Sequence, residues 1–67
     1  MEASQVGRRI RAFRKLKRIQ QTELAKAIAI STTVLGRIER GEKLADEMTM
    51  TKIANVLQIE IEELIGE

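Results

Sequence analysis

The chain has 67 residues, a net charge of +2, and neither cysteine nor histidine. One domain without a disulfide staple is expected, and the common zinc-site patterns and the commonest general base are excluded. Proline is absent and helix formers abound, so an all-α chain is expected, with an aliphatic core and Phe13 as its single aromatic. A polar and then basic start, and a longest apolar run of only residues 27–30, predict no membrane segment and a cytoplasmic protein.

Ser4 is the expected N-cap of a first helix ending near Arg18, with Val6, Ile10 and Phe13 as its apolar stripe and Arg14 at the stripe's margin. Arg8, Arg11, Lys15 and Arg18 share the opposite side, and no glycine follows to stop the helix. A second helix starts near Gln20 or Gln21. Neither is a strong cap, so its first turn is expected to rely on tertiary contacts. Leu24, Ala25 and Ile28 face the core, and a break follows near residues 29–31. Ser31 caps a third helix from Thr32 to about Arg40, and Gly41 is its C′ stop. Leu35, Ile38 and Glu39 repeat the inner face. The outer face carries Thr33, Gly36, Arg37 and Arg40. Gly36 costs about 1 kcal/mol relative to alanine inside a helix, so on an exposed face it either weakens the helix for no return or lets a ligand such as DNA approach the backbone closely. A small, cationic face beside a helix-turn-helix break suits a DNA major-groove reader.

Residues 42–47 read as a loop. Asp46 is the expected N-cap of a fourth helix over residues 47–57, which buries Met50, Ile53, Ala54 and Leu57. A short fifth helix over residues 60–65 presents Ile61, Leu64 and Ile65. Charge is unevenly placed: arginine and lysine crowd residues 8–18, whereas the last third is acidic apart from Lys52. One end of the molecule can face a polyanion and the other cannot. A solvated amphipathic helix and a solvated acidic end would account for the same charges.

Four patterns stand in order: IR..R at 10–14, Q..LA at 21–25, RIERG at 37–41 and I.A..L…I..L at 53–64. Together they make the chain resemble the Cro/CI-type, or Xre-like, helix-turn-helix family over nearly its whole length. The resemblance implies a compact five-helix bundle of the lambda-repressor type, in which the second and third helices, residues 21–41, form the DNA-binding unit. It implies base reading by Thr32, Thr33, Gly36 and Arg37, and phosphate contacts from Gln21, Ser31, Arg40 and Lys43. It also implies a partly buried ion pair between Arg14 and Glu39. Arg37 is the strongest candidate reader, because a guanidinium bonds bidentately to guanine O6 and N7. Ala29 and Arg18 stand where the family commonly has glycine, Ala45 replaces a frequent proline, and the 42–47 loop is unusually acidic.

The expected function is therefore sequence-specific transcriptional regulation on double-stranded DNA, by a homodimer at an inverted repeat. Ile59, Ile61, Leu64 and Ile65 are the expected dimer surface, with core packing as the alternative use of the same residues. An antitoxin or other protein-interaction module with a protein partner is the competing class. No nucleophile–base constellation or phosphate-cradling glycine loop points to an enzyme, and no cofactor or metal is expected. Glu60 and Glu63, a carboxylate pair three apart, read as solvated.

Overall fold

The computed structural model describes residues 2–66, and these form five helices: α1 (Ala3–Leu16), α2 (Gln21–Ala27), α3 (Thr32–Glu39), α4 (Glu47–Leu57) and α5 (Ile61–Ile65). The architecture is the all-α five-helix bundle that the resemblance implied. α1 crosses α3 and α5, α2 packs against α3, and α4 packs against α5. No helix among the described residues is long and apolar enough to cross a membrane.

The core takes Val6 and Ile10 from α1, Leu24 and Ala25 from α2 with Ile28 just beyond, and Leu35 and Ile38 from α3. Met50, Ile53, Ala54 and Leu57 of α4 and Leu64 of α5 complete it. Phe13 is only half-buried at its margin. Ala45 is buried in the loop before α4, a core position the sequence did not betray. Gly7 is buried as well. A Cβ there would stand 2.6 Å from the Glu39 carbonyl oxygen, so the lack of a side chain is what lets α1 lie against the last turn of α3.

Helix starts follow side-chain chemistry, with two corrections. Ser4 does not cap α1: the first ladder bond runs from the Val6 N–H to the Glu2 carbonyl at 3.0 Å, which makes Glu2 the N-cap and places Ser4 inside the first turn. The start of α2 does not rest on tertiary contacts alone, because Glu23 Oε1 accepts the Gln20 N–H at 2.8 Å. Glu63 does the same for the Glu60 N–H at 2.9 Å, so one member of the acidic pair at α5 is a helix cap. Ser31 Oγ accepts the Val34 N–H at 3.0 Å, and Asp46 Oδ1 accepts the Thr49 N–H at 2.8 Å, as expected.

Helix ends share one device. α1 through α4 each close with a left-handed residue and a paired set of bonds, the arrangement that satisfies the last free carbonyls of a helix. After α1, Arg18 takes φ 60°, its N–H bonds the Lys15 carbonyl, and the Ile19 N–H reaches back to Arg14. Ala29 with Ile30, Gly41 with Glu42, and Gln58 with Ile59 repeat the pattern after α2, α3 and α4. Only Gly41 is a glycine. At the other three joints the residue after the left-handed one is an isoleucine packed onto the core, and this apolar anchor holds a backbone conformation that costs a non-glycine residue about 1–2 kcal/mol. α1 therefore ends at Leu16, two residues before the expected limit, and Ala29, standing where the family commonly has glycine, takes a left-handed φ of 61°.

Candidate nucleic-acid interface

The second and third helices meet through the Ala29–Ile30 joint and share Leu24, Ala25, Leu35 and Ile38 as inner wall. With Leu35 and Ile38 locked inward, Thr33 and Arg37, four residues apart, face solvent one above the other. Thr32 is half-buried beside them, and Ser31 is exposed at the cap.

Gly36 departs from expectation. It is buried rather than open, because Arg40 folds back along the helix over it. The Arg40 Nη1 lies 3.1 Å from the point where a Gly36 Cβ would stand, with the Gln21 amide 3.7 Å away. The missing side chain thus seats a neighbouring guanidinium, and the helix backbone is not bare at this point. Arg40 is in turn paired, its Nε donating to Glu42 Oε2 at 2.9 Å with both side chains more than half exposed. The hydrogen bond and then the charge of Arg40 hold the Glu42 carboxyl below its ordinary value, and Arg37 adds to the pull. The Arg40 guanidinium is held further above its own ordinary value by the same bond.

Behind this face lies a buried polar cluster. Arg14 grips Glu39 with two bonds, Nε to Oε2 at 2.8 Å and Nη2 to Oε1 at 3.0 Å, and its Nη1 donates to the Ile19 carbonyl at 3.0 Å. Gln21 Nε2 adds a bond to Glu39 Oε1 at 3.1 Å. The expected ion pair is therefore present, and Gln21 is part of it. A cavity of about 280 Å³ opens in front of this cluster, lined by Arg11, Arg14, Gln21, Gly36, Glu39 and Arg40. Arg11 does not belong wholly to the far side of α1. Standing three residues before Arg14, it shares the helix face that borders α3, and that spacing was the available signal. Lys43 is exposed beyond the α3 terminus, where it joins Lys52 in drawing down the Asp46 carboxyl, whose main support is the Thr49 N–H.

The four expected dimer residues separate. Leu64 is fully buried in the bundle and unavailable to a partner, because it fills the space beneath α1 and α4. Ile59, Ile61 and Ile65 pack against the core with part of their surface left over.

With this geometry in place, comparison with known proteins is decisive. A helix-turn-helix family (HTH_3) matches residues 10–64. The chain belongs to the Cro/CI-type helix-turn-helix family. The Bacillus subtilis protein YazB, an uncharacterized HTH-type transcriptional regulator, is 52% identical over 64 residues, covering 96% of this chain and 93% of YazB. Two solved structures superpose closely. The restriction-modification controller protein C.AhdI from Aeromonas hydrophila has a TM-score of 0.87 at 31% identity, over 92% of this chain and 94% of its own. SinR, the master regulator for biofilm formation, solved in complex with DNA, has a TM-score of 0.83 at 28% identity, over 90% and 97%.

Proposed function

We propose that the chain is a sequence-specific DNA-binding transcriptional regulator that lays α3 in the major groove. The observation that carries this reading is the pair Thr33 and Arg37, exposed and in line on a helix whose opposite side, Leu35 and Ile38, is fixed in the core. Arg37 forms no ion pair among the described residues. Its bidentate bond to a guanine would discriminate by about 1–3 kcal/mol. Thr32 and Thr33 supply the shorter contacts at the helix start, while Gly36 makes room for Arg40 to lie along that face. Gln21, Ser31, Arg40 and Lys43 take phosphates, which orient the helix without reading sequence. The fold shared with SinR, a protein solved on DNA, supports this placement.

Two copies are needed for an inverted repeat, with recognition helices about 34 Å apart. The exposed remainders of Ile59, Ile61 and Ile65 are the surface proposed to join them. Selection of bound sites from random duplex DNA, repeated with Arg37→Ala, tests the whole reading. The expected result is a two-fold symmetric site that loses its preference for one guanine per half-site in the variant. Recovery of no consensus would reject it. Sedimentation of Ile61→Glu tests the dimer separately, and an unchanged dimer would exclude that surface.

One observation favours a protein partner as a second reading: Met48 and Leu44 leave 69% and 46% of their surfaces exposed beside the α3–α4 loop. The salt dependence of binding separates the two, since DNA affinity falls by about 0.9 log unit per neutralised phosphate for each log unit of salt.

A further inference from the structure

We propose that Glu42 is a built-in competitor for the DNA phosphate, holding Arg40 in an internal ion pair and so setting how tightly the recognition face takes any duplex. The inference rests on the DNA-binding reading above and adds a determinant that reading does not contain.

The cavity between α1 and α3 is lined by Arg11, Arg14 and Arg40 together with Gln21, Gly36 and Glu39. Both oxygens of Glu39 are taken by Arg14, and one of them by Gln21 as well. The cationic charge left over belongs to Arg11 and Arg40, and Arg40 is the one laid across the middle of the recognition face by the absence of a side chain at Gly36. Glu42 reaches that charge from a fixed point. Gly41 at φ 79° turns the chain, and the Glu42 N–H is pinned to the Arg37 carbonyl at 2.9 Å. Its carboxylate therefore sits in the field of Arg40, the C-cap of α3, and of Arg37 within that helix.

A carboxylate bonded to a guanidinium presents the same acceptor geometry that a phosphate oxygen would. The internal pair joins two side chains that are each more than half exposed to solvent, so it is weak and exchangeable. On binding, a phosphate must displace Glu42, and the released carboxylate then faces the polyanion. Both effects lower affinity for every sequence alike. Glu42 is a positioning residue in this scheme; it acts through Arg40.

Fluorescence polarisation with a labelled random-sequence duplex tests this on the full chain. Glu42→Gln should bind roughly three- to tenfold tighter than the parent, with a salt slope steeper by about 0.9 because one more net cation meets phosphate. In an Arg40→Ala background the same substitution should bring a clearly smaller gain, because only the repulsion between the Glu42 carboxylate and the polyanion is left to remove. In the free protein, the Arg40 Nε–H resonance should shift in Glu42→Gln, reporting the lost pair without any DNA. Equal or weaker binding by Glu42→Gln overturns the proposal, as does a gain that is undiminished without Arg40. If the parent chain binds no duplex even at low salt, the regulator reading fails and this one falls with it. If the parent binds and Glu42→Gln is unchanged, only the competitor is lost.

Discussion

Gly7 in α1 lies directly beneath the main-chain carbonyl of Ile38 in α3, so that a Cβ on Gly7 would overlap that oxygen and crowd its neighbour at Glu39. The atoms it would meet are backbone, which cannot rotate aside. Gly7→Ala should therefore destabilise the fold despite alanine's better helix propensity, by about 1–3 kcal/mol, the usual range for an overpacked core. Urea unfolding followed by far-ultraviolet circular dichroism reads this as a lowered midpoint with an unchanged slope. An equal or raised midpoint would mean the two helices separate at no cost.

Arg14 and Glu39 form a pair in which each charge is buried and each relies on the other. Glu39→Gln leaves the Arg14 guanidinium without its counter-charge and should cost about 3–5 kcal/mol. The double variant Arg14→Met with Glu39→Leu should recover most of that loss, because an apolar pair of similar volume needs no compensation. A double variant as unstable as the single one would show that the bonds to the Ile19 carbonyl and Gln21, and not the charge pair, hold this junction.

Ala29 is exposed at φ 61°. Ala29→Gly removes the steric cost of the left-handed conformation and adds back some unfolded-chain entropy, for a net gain of about 0.5–1 kcal/mol. The thermal midpoint should rise by about 3–6 °C, given the entropy of unfolding of a domain this small. A fall would mean the joint is not strained in solution.

Acid sensitivity follows from Asp46 and Glu42. Both carboxyls are held below their ordinary values, Asp46 by the Thr49 N–H and Glu42 by Arg40. A folded value below the unfolded one means the stabilisation is complete above the unfolded carboxylate range. It is lost as pH falls through and below that range. The urea midpoint should hold steady from neutral pH down to about 5 and decline from there. Asp46→Asn keeps a good capping side chain that does not titrate, so its decline should be shallower than the parent's. A parallel decline would assign the acid response to other groups.

Much of this architecture could be read from residues. The bounds of α4 and its four buried positions follow from Asp46 and a 3.6-residue period, because cap and stripe agree there. The Arg14–Glu39 pair was visible at the margins of two apolar stripes once the family pattern joined them. The helix ends were harder. A left-handed arginine, alanine or glutamine carries no mark of its own, and the signal lay one residue later, in Ile19, Ile30 and Ile59, whose apolar character alone does not announce a helix stop. On the outer face of α3, the exposure of Thr33 and Arg37 was legible from spacing. The covering of Gly36 was not, because it depends on which way the long Arg40 side chain turns. Leu64 and Ile65 are adjacent and equally apolar in sequence, and only the angle at which α5 meets α1 and α4 buries the first more than the second.

Glu39 accepts from Arg14 of α1 and Gln21 of α2 while itself belonging to α3. The helix-turn-helix unit is consequently not a portable part. Residues 21–41 transplanted onto a foreign scaffold would carry a carboxylate whose counter-ion stayed behind, and the smallest segment that travels with its electrostatics intact begins in α1.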